Sequence, residues 1–211
     1  MFHLPGHVLF IHIPRTGGTS IEAALQAAFP AGKIDSAWKH IAAWDLRWTM
    51  PIAEWERCYK FAVDRDPFEA IASSWRFAHQ QAAVLAPVAL PENPIWCDVM
   101  RRAVRYSRFA DYVRHEWLGE CSLLRPGGFV RTWCLGLSGE SLGVEVLQFD
   151  GLAEGWARVC AAIGLDPPAP LPHLNAAPTQ AAEEWPDRER AAVAELCWMD
   201  LVGRREAQAC H

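Results

Sequence analysis

The chain has 211 residues, 51% of them hydrophobic, and a formal net charge of -5. That is enough apolar material for one ordinary core, so a single domain over 1–211 is expected. The acidic balance and scattered basic residues exclude a protein that wraps nucleic acid through a broad positive surface, and no apolar run is long enough to span a bilayer.

Met1 to Gly6 lacks the basic start and apolar core of a secretory leader. The seven cysteines, at 58, 97, 121, 134, 160, 197 and 210, contain no Cys-x-x-Cys pair, which argues against a disulfide framework or a zinc site. Reduced thiols in a cytoplasmic protein are the expectation. The eleven tryptophans are first read as core and rim packing.

In chain order, Val8 to Ile13 is an apolar run bounded by turn signals and predicts a strand buried on both faces; Thr19 to Phe29 predicts a helix. Trp38 to Met50 has helical spacing at Ile41, Trp44 and Trp48 and supplies much of a crossover between parallel strands. Phe61 to Val63 reads as the second strand and Asp64 to Asp66 as a turn. Pro67 then takes the first position of a helix over Phe68 to Gln81. Leu85 to Pro94 is a Pro-rich loop, and a mostly helical stretch follows from Ile95 to about Leu118, with Arg101, Arg102, Arg105 and Arg108 read as a solvated face. Val144 to Phe149 alternates like a strand, Leu152 to Ile163 like a helix, and "DPPAPLPHLNAAPTQ" is extended. A terminal helix from about Pro186 to Arg205 closes the chain. The pattern predicts an α/β fold with a central parallel sheet flanked by helices, and the crossover brings both strand ends to one sheet edge.

"PRTGGTS" carries the ingredients of an oxyanion seat. Gly17 and Gly18 let backbone N–H groups approach a ligand, Thr16, Thr19 and Ser20 offer hydroxyls, and the helix beginning near Gly18 contributes its positive end. The Walker pattern fails because Thr19, not Lys, follows Gly18, and the basic residue, Arg15, precedes the glycines. Taken alone, this reads better as a Gly-containing strand-to-helix turn without a ligand. The second turn adds Arg65 at a strand end and Ser73 about two helical turns later; taken alone, Arg65 pairs with Asp64 or Asp66 and Ser73 is a tolerated helix serine. Both turns on one edge suit a nucleotide with phosphates at both ends.

Residues 10 to 21, "FIHIPRTGGTSI", and "FAVDRDPFEAIASSW", Phe61 to Trp75, resemble the two nucleotide motifs of the PAPS-dependent sulfotransferases, especially the carbohydrate-type branch; "VLQFDGL" and "LPHLNAA" resemble later family segments more loosely. The resemblance implies a P-loop NTPase-like sulfotransferase fold. It implies that Arg15, Thr16, Gly17, Gly18, Thr19 and Ser20 hold the 5'-phosphosulfate and that Arg65 and Ser73 hold the 3'-phosphate. It further implies sulfuryl transfer from 3'-phosphoadenosine 5'-phosphosulfate (PAPS) to a hydroxyl or amine of a small or saccharide-like acceptor, with no metal. Three residues depart from the pattern: Arg15 for Lys, Asp64 for Val and Ala70 for Arg. They leave room for a nucleotide binder of weakened activity, and a P-loop kinase is the more distant rival.

An attacked acceptor must lose a proton. His40, in "WKHIAAWDL", is the first choice of base, on the resemblance and on an imidazole pKa near neutrality. With Arg15 beside the leaving phosphate, these are the two catalytic candidates. His12 reads as packing, His173 and Asn175 as borders of the cofactor or acceptor, and Glu22 and Asp45 as helix-surface charges.

Overall fold

The computed structural model describes residues 1–85, 105–119, 122, 124–165, 168–172, 174 and 183–209. The described chain is an α/β fold around a five-stranded mixed sheet. The strands are β1 (Phe2–Leu4), β2 (Val8–Ile11), β3 (Lys33–Ile34), β4 (Tyr59–Asp64) and β5 (Val144–Gln148), in the order β3-β1-β2-β4-β5. β2, β4 and β5 run parallel, with Phe10 opposite Phe61 and Ala62 opposite Val146. β1 pairs antiparallel with both β2 and β3, which corrects the expected all-parallel sheet. The cause is local. In Leu4-Pro5-Gly6-His7 the His7 N–H donates to the Leu4 carbonyl and Gly6 has φ +67°, so a tight turn folds β1 straight back onto β2.

Strand alternation supplies two cores. Val8, Phe10, Phe61, Val63 and Leu147 face α1 (Gly18–Ala28) and α7 (Leu152–Ala162), where Trp156 and Val159 are buried. Leu9, Ile11 and Ala62 face the opposite layer. That layer holds α2 (Ala43–Thr49), α4 (Pro67–Leu85), α5 (Phe109–Tyr112, continuing into a π-helical turn at Val113–Trp117), α6 (Phe129–Trp133) and α8 (Asp187–Leu196). Each fully buried Phe or Leu contributes roughly 1.5–3 kcal/mol, so both faces of β2 and β4 anchor the sheet.

Several elements differ from expectation at their ends. Residues 38–42 do not belong to the crossover helix, which starts at Ala43. Pro51, lacking an N–H, separates it from α3 (Ile52–Arg57). Pro67 does open α4, where the Asp66 carboxylate accepts from the N–H groups of Phe68 and Glu69 (3.0 and 3.1 Å). Of the predicted helix from 95, residues 105–119 are described: Arg105 is helical, and after a break α5 and its π turn follow; the loop at 85–94 falls almost wholly outside the described residues. The terminal helix is broken at Cys197, giving α8 and α9 (Trp198–Ala209). The break sets Asp200 against α6, accepting from the Phe129 and Val130 N–H groups at 2.7 and 3.0 Å.

Asp64 ends β4 fully buried, close to Asp200. Burial and the Asp200 charge push its carboxyl above the ordinary value of 3.8, and burial likewise raises Asp200, so neutrality finds them sharing protons rather than both ionised. Asp64 therefore points into the fold, not toward an anion beside Arg65. A raised folded pKa contributes stability that is complete below the unfolded value and lost as pH rises through the folded one. Asp64→Asn is expected to flatten the fall in stability between the unfolded value of 3.8 and the folded value of about 8, measured by urea denaturation at several pH values; an unchanged slope contradicts this account.

Candidate functional site

Parallel pairing of β2 with β4 places residues 12–18 and 64–67 at the carboxyl ends of adjacent strands. After Ile13 the backbone turns sharply. Arg15 has φ +67°, rare for a side-chain-bearing residue, and Gly17 follows at φ +80° as the N-cap of α1. The cap makes no side-chain hydrogen bond, and the first turn of α1 has no acidic residue. Among the described residues, the N–H groups of Thr16, Gly17, Gly18 and Thr19 meet no acceptor. An uncapped helix start of this kind is a candidate seat for an anion.

The hydroxyls divide. Thr16 is buried and donates to the Ile13 carbonyl (2.8 Å), so its side chain braces the turn. The Ser20 hydroxyl oxygen accepts from the Leu174 N–H (3.2 Å), which docks the Pro-rich segment onto α1; His173 and Asn175 lie outside the described residues. Thr19 is partly exposed on the first turn.

The basic side chains of the two turns converge. Arg15 donates through Nε (3.2 Å) and Nη2 (3.1 Å) to the Ser73 hydroxyl and lies 4.2 Å over the Phe77 ring. Arg65 donates to the Arg15 carbonyl (3.3 Å) and stacks 4.6 Å over Phe149, with Glu69 at 3.6 Å. Arg76 is close enough to repel both guanidinium groups, while pairing with Glu183 at 2.7 Å. Burial first, then Arg65, lowers the Arg15 pKa to about 10. Among the described residues Arg15 has no carboxylate partner, so an arriving anion relieves a standing repulsion. Sequence reading missed Arg76; its signal was the i+3 spacing from Ser73, which puts both on one helical face. Ala70 is buried against the core.

The histidines connect the seat to the interior. His12 is buried and donates from Nδ1 to Glu22 Oε1 (2.8 Å), and Glu22, also buried, is approached by the Met1 amino group (3.0 Å) and Lys39 (3.5 Å). Glu22 is thus no surface charge. Burial would raise it, but His12 and its other partners overcome that and hold it at about 2. His40 donates from Nδ1 to the His12 carbonyl (2.9 Å), its ring meets His12 edge-on at 4.6 Å, and its own carbonyl accepts from Trp133 Nε1 (2.9 Å). The Nδ1 bond fixes the tautomer and leaves the lone pair on Nε2. Burial, then the His12 charge, lowers His40 to about 3, so the imidazole is neutral. Asp45 lies in the first turn of α2, where burial raises its carboxyl above its ordinary value.

No family model, curated protein or solved structure matches the chain.

Gly18 is a steric requirement of the seat. A Cβ there meets the His12 ring at 2.2 Å, and that ring is pinned by Glu22. Gly18→Ala is expected to cost roughly 1–3 kcal/mol of stability by overpacking, measured by urea denaturation; a loss below about 0.5 kcal/mol, the range of innocuous surface changes, contradicts the close fit.

Proposed function

We propose that the seat binds a nucleotide carrying anions on both ribose arms and that the protein transfers a sulfuryl group from PAPS to a hydroxyl or amine of a small or saccharide-like acceptor. One observation carries this reading: the uncapped α1 start and the Arg15, Arg65, Ser73 cluster lie on one sheet edge and are joined by direct hydrogen bonds. The sequence resemblance supports the identity of the nucleotide. A triphosphate kinase is less well supported, since among the described residues of this turn no Lys follows the glycines.

In this reading the first turn's N–H groups hold the phosphosulfate and Arg65 with Ser73 holds the 3'-phosphate. The acceptor oxygen attacks sulfur, the bond from sulfur to the bridging oxygen breaks, and 3'-phosphoadenosine 5'-phosphate leaves with the electron pair. Charge gathering on that oxygen is stabilised by the N–H groups and the guanidinium. The acceptor proton passes to His40 Nε2. A neutral imidazole is in the right protonation state, and a bound polyanion raises its low pKa toward neutrality.

A second reading has its own observation. Arg15 reaches across to Ser73 instead of staying over its own turn, which suits a protein that grips the nucleotide at the 3' side and transfers slowly or not at all. Calorimetric titration with 3'-phosphoadenosine 5'-phosphate and label transfer from PAPS across an acceptor panel separate the readings. Binding with transfer supports the enzyme; binding without transfer supports the binder; a folded sample that binds neither nucleotide overturns both. His40→Ala is expected to bind as wild type and to lose about 100-fold or more in turnover, and undiminished turnover removes His40 as the base.

A further inference from the structure

At the opposite end of the sheet, where β2 and β4 begin, three potential ligands from separate elements converge. His3 comes from β1, Glu54 from α3, and Cys58 from the residue that leads α3 into β4. His3 Nε2 lies 3.2 Å from Glu54 Oε1; Cys58 Sγ lies 3.9 Å from His3 Nε2 and 3.7 Å from Glu54 Oε1. Metal–nitrogen and metal–oxygen bonds of about 2.0 Å and a metal–sulfur bond of about 2.3 Å make the edges of a tetrahedral site about 3.3 Å between N and O and about 3.5 Å to S. The observed triangle needs adjustments of only a few tenths of an ångström.

The surroundings favour the carboxylate form of Glu54. The Gly6 N–H donates to Glu54 Oε1 at 2.6 Å and is the main cause of that carboxyl lying below its usual range; Arg57 holds the other oxygen at 3.3 Å. Burial raises the Cys58 thiol above its ordinary value, the Gly6 and His7 N–H groups oppose this and the Glu54 carboxylate adds to it, so without an ion the thiol keeps its proton. The positive φ of Gly6 aims this turn at the cluster. Glu54 and Cys58 are four residues apart, so the end of α3 presents both on one face. Cys58 is buried, and His3 and Glu54 are partly covered.

We propose that His3, Glu54 and Cys58 form a binding site for a zinc-type divalent ion, with water or an external ligand in the fourth position. The N, O and S donor set suits a borderline-soft cation and not magnesium or calcium. On binding, the Cys58 S–H proton leaves to solvent and the His3 proton moves to Nδ1, giving a thiolate, a neutral imidazole and a carboxylate as ligands. The ion fastens the β1–β2 hairpin to the α3–β4 junction. The site is remote from the anion seat and independent of the proposed transfer.

Untagged, chelator-treated protein titrated with cobalt(II), then zinc(II), tests this. Wild type is expected to take up one cobalt per chain with a thiolate-to-cobalt charge-transfer band, to release it to zinc, and to gain thermal stability with zinc. Cys58→Ser is expected to lose the band, and His3→Gln to bind more than about 100-fold more weakly, beyond the effect of losing an outer partner. His3 is partly exposed, so its variant remains informative if the Cys58 variant folds poorly, which circular dichroism checks. Absence of the band in folded wild type, or wild-type affinity in both variants, overturns the proposal.

Discussion

The parallel ladder between β2 and β4 is the constraint on which everything else rests. Adjacent parallel strands end at the same edge, so the residues following each, 12–18 and 64–67, meet without further instruction. The crossover through α2 and α3 makes that pairing possible. Because both strands are buried on both faces, a register slip would exchange the residues serving the α1–α7 core with those serving the other layer. The anion seat thus inherits its geometry from the most firmly held part of the sheet.

Electrostatics then divide the molecule. At the carboxyl end of the strands, Arg15, Arg65 and Arg76 stand close enough to repel one another, next to an uncapped helix start. Glu69 and Glu183 offset part of this charge, and a bound anion would relieve the remaining repulsion on Arg15. Just beneath, the Glu22 carboxylate accepts a hydrogen bond from His12 and pairs with Lys39 and the Met1 amino group. His12 passes this order to His40 through its backbone carbonyl, and Trp133 clamps the His40 carbonyl. The catalytic candidate is held by main-chain geometry, which a side-chain motif does not encode.

The carboxyl pair of Asp64 and Asp200 belongs to the same design. Asp64 is a departure from the sulfotransferase pattern at the level of sequence, and in the fold it faces inward, next to the residue that caps α6. α6 in turn carries Trp133. Asp64 thus lies in the buried layer that also holds Asp200 and α6.

Sequence alone established the α/β alternation, the strands at 8–13, 61–63 and 144–149 to within two residues, the first turn's small residues and the pairing of Pro67 with a helix start. These follow from periodicity, apolar runs and proline stereochemistry, which are local. The Pro5-Gly6 signal for the β1 hairpin was equally local and went unread because the segment was weighed only as a leader. No membrane-crossing helix is found among the described residues, in keeping with the sequence. Tertiary structure alone decided the rest. It turned Arg15 toward Ser73, brought Arg76 to the seat, buried Glu22 beneath it, and gathered His3, Glu54 and Cys58 from positions up to 55 residues apart. Side chains on different elements meet only through strand order and helix docking, and no spacing along the chain records those distances.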